Sequence, residues 1–135
     1  ALDSLTELEE VDPWDGIAIE FINPNNGESA NENIGTWMQK LLPGQRTKAH
    51  RHVSSSVYLV FKGEGYSVIN GTRFDWKQGD IFVVPTWHWH EHANTSAEPA
   101  YLFHINDIPL MEKLALQKVE TYPGEHQEIK EVFQA

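Results

Sequence analysis

Cysteine is absent from the 135-residue chain. Disulfides are therefore excluded, and redox chemistry says nothing about the compartment. No apolar run is long enough to span a bilayer, and no N-terminal segment has the basic-then-apolar layout of a signal peptide. The expectation is a cytoplasmic protein without membrane contact. Positive charge is scarce as well: 10 Lys and Arg stand against 20 Asp and Glu, for a formal net charge of −10. A phosphate backbone would be repelled, so no nucleic-acid partner is expected. There is no internal repeat and no low-complexity segment.

What the chain does have is histidine, 7 in all, and they are clustered. His50 and His52 lie two residues apart in the stretch Gly44 to His52. Residues i and i+2 of a strand point to one face, so both imidazoles can grip one ion. A distant segment, GDIFVVPTWHWHEHAN over 79–94, offers His90 as a third ligand on what reads as another strand. Imidazole suits Fe, Zn, Ni and Cu alike, so ligand type does not name the metal.

The rest of the chain reads as short strands separated by turns. Ser4 and Glu7 fit a capping box for a short N-terminal helix, ended by Asp12-Pro13 and Asp15-Gly16. Ile17, Ile19 and Phe21 alternate as a half-buried strand, and residues 34–42 form the next. Further strands are expected around 46–52, 57–61, 66–69, 73–76, 81–84, 87–93 and 100–105. Asn70-Gly71 is the strongest hairpin signal, and residues 81–84 read as a buried strand. Asp107-Ile108-Pro109 opens a helix with Leu110, Leu114 and Leu116 apolar. The tail from Tyr122 is polar, either a short helix or loose chain. Many short strands with frequent turns indicate an all-β sandwich or barrel. The expected organisation is one domain over 1–135, with a core of about 16–106, an N-terminal helical extension 1–12 and a C-terminal helix and tail 107–135.

Two spaced motifs carry a family resemblance. Gly44, five residues, His50-x-His52 and then Gly63 is similar to the first cupin motif; Gly79, five residues, Pro85, then His90 and Asn94 is similar to the second. Ser56 stands where many cupins carry a glutamate ligand. A closer resemblance covers residues 12–119, through DPWDG at 12–16, INPNNG at 22–27, HRH at 50–52, FDW at 74–76, FVVPTWHWHEHAN at 82–94 and the run to IPLMEKLAL at 108–116. These segments look like one cupin half of the gentisate, salicylate and 1-hydroxy-2-naphthoate dioxygenases, a family with two cupin halves in one chain. Gln39 and His92 match a glutamine and a histidine of that family's active half; Tyr58 stands where its arginine would be. This departure makes the chain resemble the second half more than the first.

The resemblance implies a single cupin, a double-stranded β-helix jelly roll with short N- and C-terminal helices. It implies a mononuclear site held by His50, His52 and His90, with Fe(II) first and Zn, Ni or Mn as alternatives. The implied partners are a hydroxylated aromatic acid and dioxygen, with Gln39, Tyr58 and His92 as the residues that act on them. His92 would share the face of His90, and Tyr58 that of Ser56; the orientation of His104 is left open. At this length the chain is a free-standing cupin or a piece of a longer one, expected as a homodimer or larger. The other reading is a non-catalytic scaffolding or ligand-sensing cupin module in which metal is optional.

Overall fold

The computed structural model describes residues 11–134. Its strands are β1 (Ile17–Glu20), β2 (Gly35–Leu41), β3 (His50–His52), β4 (Ser56–Lys62), β5 (Glu64–Ile69), β6 (Thr72–Lys77), β7 (Ile81–Val84), β8 (His90–Asn94), β9 (Ala100–Asn106), β10 (Val119–Thr121) and β11 (Glu131–Val132). One helix, α1 (Ile108–Lys113), lies between β9 and β10. The strands form a 5-stranded sheet in the order β1-β2-β9-β4-β7 and a 6-stranded sheet in the order β10-β3-β8-β5-β6-β11. This is the expected all-β, two-sheet cupin sandwich.

Alternation explains the core. Along β4, Ser56, Tyr58 and Val60 are buried while Val57 and Phe61 are exposed, the period of two that one covered face demands. Tyr58 and Val60 meet Leu41, Ile69, Trp76, Val84, Ala100 and Leu102 between the sheets. Asn70 and Gly71 both take positive φ, 47° and 82°, and join β5 to β6 as the Asn-Gly hairpin predicts. At Gly65 a methyl group would overlap the Ala93 carbonyl and stand 2.7 Å from the Trp76 ring, so only glycine lets β5 lie that close to β8. Asn94, the last residue of the second motif, donates from Nδ2 to the carbonyls of Leu41, Leu42 and Glu98, tying β8 to the end of β2.

Three expectations are corrected. Residues 81–84 are not a buried strand: β7 is an edge, and Ile81 and Val83 are 69% and 52% exposed. A short apolar run does not tell a doubly covered strand from one whose second face is open. The helix after Asp107 is only six residues long, buries nothing, and leaves Leu114 and Leu116 exposed beyond its end. The tail from Tyr122 forms no helix: β11 within it pairs parallel with β6, and just before it β10 pairs antiparallel with β3. The expected helix over the first ten residues lies outside the described ones.

Candidate metal centre

β3 turns His50 and His52 to one side, and β8 lies beside it with His90 directly opposite His50. One donor nitrogen from each ring falls within 4.8 Å of the other two. Ring centroids are 5.4 Å apart for His50–His52, 4.6 Å for His50–His90 and 4.8 Å for His52–His90. The backbone sets two of the tautomers. His90 Nδ1 is 2.9 Å from the His88 carbonyl, and His52 Nδ1 is 2.7 Å from the Ser54 carbonyl. A carbonyl only accepts, so each Nδ1 carries the proton and each Nε2 keeps its lone pair for a ligand. His90 Nε2 is buried with no hydrogen-bond partner. Leaving such an acceptor empty costs about 1–3 kcal/mol, and a divalent cation would satisfy it. The donor set therefore fits a metal.

The rings are also kept neutral, as ligands must be. Burial pushes His50 down to about 4, helped by the charge that His52 would carry. Burial likewise lowers His52, and it holds His90 well below the usual imidazole range, with the neighbouring rings of His50, His52 and His92 adding to the effect.

Beside the triad is a cavity of about 270 Å³ whose walls include Asp15, Trp37, Gln39, His50, His52, Ser56, Tyr58 and His104. Gln39 is buried; its Nε2 donates to the Asp15 backbone carbonyl at 3.1 Å, and its Oε1 has no partner. The Tyr58 ring lies between those of Phe82 and His104, at 4.9 and 4.7 Å. Burial first and the Asp15 charge second raise the Tyr58 hydroxyl above its usual range, so it stays protonated. Burial pushes His104 down to about 3, and its ring stacks on Trp37 at 6.3 Å. Larger hollows, of about 470 and 560 Å³, lie away from the triad and carry none of its histidines.

His92 is placed differently from His50 and His52. It is buried behind Tyr58, with ring centroids 4.9 Å apart, and its Nδ1 lies 2.7 Å from the Ser67 hydroxyl. Ser67 Oγ also accepts from Trp76 Nε1 at 2.9 Å, so its own proton is free to go to His92. Burial pushes His92 down to about 3. It does not line the cavity; of the rings packed against it, only Tyr58 does. His88 stays outside, its Nδ1 2.9 Å from the Thr86 carbonyl.

Sequence reasoning passed over Asp15. Its Oδ1 lies 4.0 Å from His50 Nε2, the side chain is 49% exposed, and the residue lines the cavity. Packing against the protein, then the nearby Asp12 charge, raises it to about 6. Gly16 sets it there: the glycine has φ +68°, and a Cβ on it would sit 2.6 Å from the Lys40 carbonyl. The signal was the DPWDG run, read as a turn and as part of the family resemblance but not as the source of a site residue. Glu91 was also missed. It points away from the triad, fully buried, and accepts from Arg46 Nε at 2.7 Å and the Gln127 backbone N–H at 2.7 Å, with His126 Nδ1 at 3.0 Å.

A two-sheet sandwich of this topology is a cupin architecture, and the chain belongs to the cupin family: the cupin domain matches residues 37–106. Its relatives include a 5-aminosalicylate 1,2-dioxygenase from Comamonas sp, 44% identical over 90% of this chain and 33% of that protein. A gentisate 1,2-dioxygenase from Aquipseudomonas alcaligenes is 35% identical over 84% of this chain and 32% of its own length. The crystal structure of a salicylate 1,2-dioxygenase from Pseudaminobacter salicylatoxidans superposes with a TM-score of 0.79 at 29% identity, covering 89% of this chain and 34% of that one. The chain thus spans about a third of the length of the relatives it matches.

Proposed function

We propose that the chain is one cupin unit that binds Fe(II) through His50, His52 and His90 and serves oxidative ring cleavage of a hydroxylated aromatic acid. The observation that carries this reading is the triad itself: three neutral imidazoles whose donors converge, one of them buried and unsatisfied. The dioxygenase relatives support the reaction class. Iron bound there would let electrons pass between ring and dioxygen, which zinc cannot do. Both oxygen atoms enter the opened product, so no outside reductant is required.

The protein's own part is binding and orientation. Tyr58 and Trp37 offer flat walls to a planar ring, and the cavity is sized for one. Gln39 Oε1 can accept a hydrogen bond from a ring hydroxyl, while its Nε2 is engaged by Asp15. Tyr58 can donate through a hydroxyl that stays protonated. His92, fixed by Ser67, supports the Tyr58 and His90 rings from behind.

Elemental analysis of untagged protein tests the site: about one iron per chain is expected, and none in the His50→Ala, His52→Ala double variant. An oxygen-electrode screen of the iron-loaded protein against gentisate, salicylate and 1-hydroxy-2-naphthoate tests the chemistry. No oxygen uptake with any of them would remove the enzymatic reading. A second reading, a non-catalytic ligand-binding cupin module, is favoured by Tyr58 standing in place of an arginine. It expects a small aromatic acid to raise the melting temperature with no turnover.

A further inference from the structure

A separate hollow lies on the face of β3 opposite the triad. It measures about 470 Å³, the size of a small-molecule site, and its walls include Arg51, Trp87, Trp89, Tyr122, Glu128 and Lys130. Arg51 stands between His50 and His52 on β3, so its side chain leaves the other side of the strand. Its guanidinium carbon lies 4.3 Å from the Trp87 ring centroid and 4.2 Å from that of Trp89, packed on both indoles. Trp89 meets Tyr122 edge-on at 5.1 Å. Trp87 holds φ +60°, a left-handed conformation that costs a bulky residue about 1–3 kcal/mol, and its N–H is tied to the His52 carbonyl at 2.8 Å.

Cations gather at this hollow in a chain that has only 10 Lys and Arg. Arg51 and Lys130 are on its walls, and Lys118 Nζ lies 5.2 Å from the Trp87 ring centroid. Neither lysine forms an ion pair among the described residues. A guanidinium carries several N–H donors; Glu120 accepts one hydrogen bond from Arg51, from Nη2 at 3.0 Å, and Nε is buried without an acceptor. The one carboxylate on the walls is the exposed Glu128. A guanidinium fork with donors to spare suits a carboxylate, and indole and phenol walls suit a flat carbon frame.

We infer that this hollow is a second binding site, which takes a small flat organic carboxylate between Arg51 and Lys130, beside the rings of Trp87 and Trp89. It shares no wall residue with the cavity beside the triad and requires no metal. Glu128 opposes the ligand charge and limits its affinity.

The test is an NMR titration of metal-free, nitrogen-15-labelled protein that follows the indole N–H signals, assigned by replacing each tryptophan with phenylalanine in turn. The probes are fumarate, fumaramide with the same frame and no charge, and inorganic phosphate with charge and no frame. Fumarate should shift the Trp87 and Trp89 signals to saturation and leave those of Trp37, beside the triad, and Trp76, in the core, in place. Fumaramide and phosphate should bind at least about tenfold more weakly. Arg51→Lys keeps the charge but not the fork and should lose about tenfold in fumarate affinity. Lys130→Glu should weaken fumarate about threefold or more, and Glu128→Lys should tighten it by a similar factor, a gain that a misfolded protein cannot produce. No saturation with fumarate, shifts centred on Trp37, equal binding of fumaramide or phosphate, or an affinity unchanged in Lys130→Glu or Glu128→Lys would overturn the assignment.

Discussion

Five histidines, the partly buried His50 and the buried His52, His90, His92 and His104, share one consequence of their removal from water. All are held below the usual imidazole pKa, His50 at about 4 and His92 and His104 at about 3. Each is neutral in the fold and free to take a proton once unfolded, so unfolding takes up protons below about pH 6.5. The stability they contribute is complete above that pH and is lost as pH falls towards 4 and 3. Each group can steepen the fall by up to about 1.4 kcal/mol per pH unit. Asp15 works the other way: raised to about 6, it favours the fold below pH 3.8 and loses that contribution as pH rises through 6. Its half-exposed side chain makes this the smaller effect. Thermal melts of metal-free protein should therefore show a steep loss of stability between pH 6.5 and 4. Bound zinc should move that loss to lower pH, because the metal competes with protons for His50, His52 and His90. A flat profile over this range would contradict the buried, neutral state of these rings.

At the scale of elements, the triad depends on a three-residue strand. β3 pairs with β8 through a single residue pair, His50 with His90, and its other edge is covered by β10 from the tail. The tail is fastened beyond β10. Glu91 holds His126 and Gln127, and Gln127 in turn donates from Nε2 to the Val68 carbonyl and accepts from the Gly71 N–H. On the opposite face of β3 from the triad, the Arg51 guanidinium lies 4.3 and 4.2 Å from the Trp87 and Trp89 ring centroids and pairs with Glu120 at 3.0 Å. Glu91→Gln should lower stability by about 2–3 kcal/mol in urea unfolding. It should also raise amide exchange over residues 119–133 before the rest of the sandwich, and weaken zinc binding although Glu91 faces away from the ion. Full zinc affinity with a mobile tail would show that β3 stands without it.

Much of this arrangement is written locally, and the remainder depends on tertiary partners. The facing of His50 and His52 follows from a period of two, and the Asn70-Gly71 hairpin from turn chemistry, so both are legible in a few residues. Asp15 joins the site from 35 residues before His50, and only the fold of β1 onto β2 brings it there. β10 and β11 are too short and polar to show any alternation; they become strands because β3 and β6 present open edges. For His92 the parity argument was sound about direction, but Tyr58 fills the space between it and the cavity.

Across the whole molecule the two sheets are finished unequally. On the outer face of the five-stranded sheet, Val83, Val57 and Ile105 pair across three adjacent strands, and Ile81 and Phe61 extend the apolar surface. Val83, Ile81 and Phe61 are each more than half exposed, on or next to an edge strand. Such a surface is commonly covered by another chain. A dimer or larger is expected by light scattering at micromolar concentration. Ile81→Lys with Val83→Lys should give a monomer with the triad's zinc stoichiometry unchanged. A wild-type monomer, or a double variant that stays associated, would place the contact elsewhere.

The position of the tail also sets an order of events during synthesis. Residues 119–133 leave the ribosome long after His50, His52 and His90, yet they supply the second edge of β3 and, through Glu91, the fastening of β8. A nascent chain ending near Asn106 would carry all three ligands on strands still missing their last neighbour. Any metal taken by the triad would then be acquired late, following release of the tail, with the histidines uncommitted through synthesis.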